Sequence, residues 1–148
     1  MNLRVLLILP TMQSDNMKTI NYSEIQDIID STFPEYKNSS FHDVEGRDQP
    51  YVYVGDFAHF VLDDLDNKPD SVVLAERLLK FVDEVFNNPD SSIELVNLLQ
   101  IEVFENLVST KTGAVLAKKL LHNRSLTLLD QTLTGYGTKE FENEYRSK

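Results

Sequence analysis

Apolar residues recur along this chain at helical spacing. The strongest run lies between Asn97 and Leu107, where Leu98, Leu99, Ile101, Val103, Phe104 and Leu107 leave few polar positions. Counted at 100° per residue from Glu94, Glu105 falls at about 20° and Glu102 at about 80°. Ile93, Val96, Ile101, Phe104 and Leu107 fill most of the remaining circle. The pattern predicts a helix set in mid-bundle with a narrow acidic window to solvent. It starts at a capping box, Ser91 with Glu94 three residues on, and continues to about Val108.

The other helices follow from the same periodicity. Tyr22 to Phe33 has Asn21 as N-cap, Glu24 behind it, and Ile25, Ile28 and Ile29 on one face, and Pro34 ends it. Residues 35–50 are polar and mixed and read as a long loop. Tyr51 to Val54 has strand propensity, yet Phe57, Ala58, Phe60, Val61 and Leu65 set a helix from about Val54 to Leu65. From Ser71 to Phe86 the apolar residues cover an arc of about 180°, with Glu76, Arg77, Lys80, Asp83 and Glu84 opposite. Two shorter helices, Ala114 to Leu121 and Ser125 to Leu133, precede Gly135 and Gly137. Thr138 to Lys148 is charged apart from Phe141 and Tyr145 and reads as a frayed helix or free tail.

The expected fold is all-α, a compact bundle of five to six helices spanning residues 17–137, with an extension at 1–16 and a charged tail at 138–148. Pro-Asp-Ser opens helices at both Pro69 and Pro89, so antiparallel helical pairs of the HEAT or armadillo kind are a variant of this reading. Repeated use of a good cap-and-turn sequence explains the recurrence equally well.

Composition narrows the function. A chain of 148 residues with 41% apolar residues can bury a single core. Without Cys there is no disulfide, thiol catalysis or Cys-ligated metal, which suits a cytoplasmic setting. Met1 to Pro10 opens like a signal peptide, but Val5 to Leu9 falls short of the roughly 7 apolar residues such a segment needs. An arm tucked onto the core, or an upstream extension before a start at Met17, are the two readings left. Residues 1–105 hold 20 acids against 7 Lys and Arg, a net −13, whereas residues 106–148 hold 4 against 7, a net +3. Such a chain is a poor ligand for nucleic-acid phosphates and a good one for a basic macromolecule.

Candidate chemistry is sparse. The densest acids, Asp63, Asp64, Asp66 and Asp70, fail as a calcium loop, since Pro69 stands where the turn needs Gly and Ala75 where it needs Glu. Asp63, Asp64 and Asp66 sit at a helix C-terminus, where the macrodipole disfavours anions, and this marks them as a solvated turn or a binding surface. His42, His59 and His122 have no metal-ligand spacing, and His59 is flanked on its own helix by Asp56 and Asp63. No phosphate-cradling Gly loop, nucleophile elbow or dinucleotide fingerprint occurs. No catalytic residue, metal or cofactor is therefore expected. Tyr51 and Tyr53, close to the acidic 43–48 segment, have the amphipathic character of interface residues.

The segments Pro50-Tyr51-x-Tyr53-x-Gly55-Asp56-Phe57-Ala58, Phe81-Val82-Asp83 and Asn97-Leu98-x-x-x-Glu102-Val103-Phe104-Glu105-Asn106-Leu107 resemble a small bacterial helical family of unknown function. In size, acidity and helical make-up the chain is similar to immunity proteins of contact-dependent inhibition and polymorphic toxin systems. That likeness implies a cytoplasmic protein that neutralises a basic toxin domain, such as a nuclease, without entering a membrane or binding nucleic acid. The expected contact residues are Asp63, Asp64, Asp66, Asp70, Glu94, Glu102, Glu105, Tyr51 and Tyr53. A helical adaptor without a toxin partner is the alternative.

Overall fold

The first described helix begins where the Asn21 N–H donates to Glu24 Oε1 at 3.0 Å, one arm of the expected capping box. The computed structural model describes residues 19–42, 45–68 and 72–136. Expectations for the 1–16 extension, for Asp70 and for the 138–148 segment lie outside these residues. A 3₁₀ turn, Tyr22–Glu24, leads into α1, Ile25–Thr32, which buries Ile25 and Ile29. Pro34 pushes Phe33 out of helical backbone and so ends α1. It then serves as the first residue of α2, Pro34–Lys37. The expected loop over 35–50 thus contains α2 and a 3₁₀ turn at Glu45–Asp48.

Helix α3 spans Pro50–Asn67, starting at Pro50 rather than Val54. Tyr51, Val52 and Tyr53 are helical because Tyr53 falls in i, i+4 phase with Phe57 and Val61, and burying that face outweighs strand propensity. Helix α4, Val73–Asn87, buries the predicted face, including Leu74, Leu78, Phe81, Val82 and Val85. Arg77 fastens it to the first two helices, donating to Glu35 Oε2 at 2.5 Å and to the Thr32 carbonyl at 2.7 Å. That guanidinium also lies 5.0 Å from the Phe33 ring centre and holds the Glu35 carboxyl below its ordinary range.

Helix α5, Ile93–Leu99, is capped by Ser92, whose hydroxyl accepts from the Leu95 N–H, and not by Ser91. Ser91 instead donates back to the Val85 carbonyl at 2.6 Å and closes the turn after α4. The helix then widens into a π turn at Gln100–Phe104 before α6, Glu105–Leu107. Thr110 caps α7, Lys111–Leu120, and Asn123, in the left-handed region at φ 51°, turns the chain into α8, Arg124–Tyr136. The end of α4 holds this turn. Asp83 accepts from the His122 N–H at 2.9 Å and meets His122 Nδ1 at 3.0 Å, while Asn87 accepts from the Arg124 N–H at 3.0 Å.

The core runs through all these elements, with Phe33 against Phe57 at 4.8 Å and Phe86 against Phe104 at 5.1 Å between ring centres. The architecture is all-α. Among the described residues there is no strand, and no helix is long and apolar enough to cross a membrane.

Candidate functional site

A π turn carries one residue more per turn than an α-helix and changes which side chains share a face. Within this one, Asn106 Nδ2 donates to the Glu102 carbonyl at 2.5 Å, giving that bulge carbonyl a side-chain partner. With its NH₂ so used, Asn106 presents its oxygen to His59 Nε2 at 3.1 Å, so that ring nitrogen carries the proton. His59 therefore bonds across helices rather than to Asp56 or Asp63 on its own. One turn earlier on both helices, Glu102 lies over Gly55: a β-carbon on Gly55 would stand 2.6 Å from Glu102 Oε1. The pairs Gly55–Glu102 and His59–Asn106 show the bulged helix running parallel to α3 across a close approach that Gly55 permits.

A groove of about 470 Å³ opens along this seam, lined by His59, Ile101, Glu102, Glu105, Asn106 and Ser109. Burial raises the Glu102 carboxyl above its ordinary range, the charges of Glu105 and Asp56 raise it further, and His59 opposes them. Among the described residues no Lys or Arg pairs with Glu102, Glu105 or Glu94. Tyr51 stands at the upstream end, exposed, its hydroxyl pushed up by burial and by the nearby Tyr22, Glu102 and Glu94. No group of three His, Asp or Glu side chains among the described residues is placed to hold a metal ion.

The structure brings together Tyr51, Glu94, Glu102 and Glu105. Asp63 follows His59 by one turn on α3 and extends the groove, although it also accepts from Asn67 Nδ2 at 3.0 Å. Asp66 is exposed nearby, whereas Asp64 turns away into a 3.0 Å pair with Lys68. Tyr53 leaves the set. It is 1% exposed, because its phase on α3 is that of Phe57 and Val61, and its hydroxyl donates to Asp30 and meets His42 Nε2 at 3.0 Å.

Ile93 and Ile101, expected to face the core, are 65% and 39% exposed. The buried pairs are Leu95-Val96, Leu98-Leu99, Val103-Phe104 and Leu107-Val108. Sequence reasoning missed Gly55, Ile101 and the His59–Asn106 bridge. The signal for the bulge is the step from Leu98-Leu99 to Val103-Phe104, which is five residues where an α-helix uses three or four.

Gly55→Ala tests the close approach. Only the mobile end of the Glu102 side chain is in the way, so it can swing out while α3 gains helix propensity. The variant is expected to be more stable by up to about 1 kcal/mol in urea unfolding. A loss of more than about 1 kcal/mol would show that the Glu102 carboxylate cannot leave its seat over α3.

No curated protein and no solved structure matches the chain. A family model described as a domain of unknown function, DUF7674, matches residues 25–136, from the start of α1 to the end of α8. With most of its length so covered, the chain belongs to that family.

Proposed function

We propose that the protein is a binding module whose acidic groove receives a cationic segment of another protein, and that it acts as an immunity protein neutralising a basic toxin domain, such as a nuclease, in the bacterial cytoplasm. The observation that carries this reading is the half-buried Glu102 carboxylate, held over Gly55 beside Glu105 with no cation next to it among the described residues. In the free protein that arrangement is unfavourable. A Lys or Arg delivered by a partner reverses the sign, since the desolvated carboxylate then meets its counter-charge, and Glu94 and Asp63 along the seam speed the encounter. Exposed Ile101 and Tyr51 supply apolar contact between the charges.

Two measurements test the reading. Glu102→Gln is expected to raise stability at pH 7 by less than about 1 kcal/mol, with allowance for solvent screening. The sign follows from the raised carboxyl pKa: its favourable, protonated contribution is present at low pH and lost as pH rises through the folded-state value. The gain of the variant over the parent therefore shrinks as pH falls below about 4.

The second measurement is capture of partners from the native host at low salt and at about 0.5 M salt, where exposed charge contacts are screened. A basic toxin fragment bound at low salt by the parent, and lost with Glu102→Gln/Glu105→Gln, supports the proposal. The same gene should protect cells expressing that toxin. Binding that survives both salt and the double substitution overturns the acidic-groove reading. It would favour the second one, an adaptor gripping its ligand through Ile93, Ile101 and Tyr51, which the exposure of Ile93 and Ile101 supports.

A further inference from the structure

Beyond the acidic groove, α7 carries a second concavity, about 400 Å³, lined by Lys111, Thr112, Val115, Leu116 and Lys119. Its floor is apolar, with Val115 40% exposed and Leu116 half-buried, and its rim is cationic. In a chain of net charge −10 this is a local reversal of sign.

The chain's own sequence supplies a match. Phe141 and Tyr145 are spaced i, i+4, and Glu140, Glu142 and Glu144 flank them. The route also fits. Helix α8 starts at α4, where Ser125 meets Asn87, passes Gln100 at Leu128 and Thr132, and touches α6. Its C-terminal end is thereby carried toward the Leu107–Lys111 corner where α7 begins. From Tyr136 to Phe141 an extended link reaches about 17 Å, against about 15 Å for the whole of α7.

We propose that residues 138–148 of this chain occupy the α7 groove, with Phe141 and Tyr145 over Val115 and Leu116 and the three glutamates facing Lys111 and Lys119. Charge complementarity selects this occupant over an apolar or basic partner. Seated there, the segment screens the lysines that stand just beyond Ser109, so the edge of the acidic groove does not repel an incoming cation.

The test uses the intact chain and a zero-length carbodiimide, which joins a carboxylate to an amine only in direct contact. The Asp64–Lys68 pair, at 3.0 Å, is the internal control. Mass spectrometry of an equal mixture of light and isotope-labelled protein is expected to find Lys111 or Lys119 joined to Glu140, Glu142 or Glu144 within one chain. That link should be lost in Phe141→Ser/Tyr145→Ser. Links between light and heavy chains would overturn the proposal in favour of a second copy as occupant. It is equally overturned if the control forms without these links, or if they persist undiminished in the double variant.

Discussion

Gly113→Ala is expected to lower the unfolding free energy by about 2–3 kcal/mol, read from the urea midpoint at constant slope. Gly113 lies in the first turn of α7, its N–H donating to the Thr110 hydroxyl at 3.0 Å. A β-carbon there would stand 2.4 Å from the Leu107 carbonyl oxygen and 2.8 Å from Thr110 Oγ1. Neither neighbour gives way cheaply. The carbonyl is backbone at the buried end of α6, and moving Thr110 costs the cap, worth about 1 kcal/mol. Helix propensity returns about 1 kcal/mol against an overpacking cost of up to about 3. At Gly55 the same substitution meets only a mobile carboxylate, so the two glycines are expected to differ in sign. Equal effects would show that the corner between α6 and α7 is loose, contrary to the packing described here.

The second large effect is at Asp30. Its carboxylate accepts from the buried Tyr53 hydroxyl and pairs with Arg47, whose Nη1 lies 2.9 Å from Oδ2. That nitrogen makes no hydrogen bond of good geometry, so the contact is an ion pair, and a second guanidinium nitrogen bonds Asp27. His42, packed edge-on against Tyr36 and Tyr53, completes the chain that ties the segment after α2 to α1 and α3. Burial and the bond to Asp30 push the Tyr53 hydroxyl well above the ordinary tyrosine range, so it remains a donor at all working pH values. Asp30→Ala leaves that donor and a cation without an acceptor and is expected to cost about 2–3 kcal/mol, below the fully buried case because Arg47 is partly exposed. A double-mutant cycle with Tyr53→Phe should return a coupling of at least about 1 kcal/mol. Additive effects would mean that the pair does not act as a unit.

What the sequence discloses depends on how local the cause is. The buried arc of α4 is legible because Leu74, Leu78, Phe81, Val82 and Val85 repeat at the helical period, and one wide apolar face needs no knowledge of its neighbours. The helix start at Ser92 is not legible. Adjacent serines are equally good caps, and the choice between them was made by the Val85 carbonyl, six residues away. Glu102, Glu105 and Tyr51 were recognisable as an acidic and aromatic surface from their spacing. Their meeting with Gly55 and His59 depends on two parallel helices approaching, a tertiary fact with no periodic trace. Tyr53 was misjudged because the helix was begun at Val54, which cut it off from the phase it shares with Phe57.

The π turn also has a consequence for chain length within the family. An α-helix accommodates a one-residue insertion in this way, by widening for a single turn instead of unravelling. A relative one residue shorter between Gln100 and Phe104 should therefore carry an unbroken helix from Ser92 to Val108, with everything beyond the deletion rotated by about 100°. In such a relative the counterparts of Glu94 and Glu105 would face different directions, and the carboxylate would leave the glycine of α3. The length of that short stretch then sorts family members into those with the groove and those without it, before any of their structures is determined.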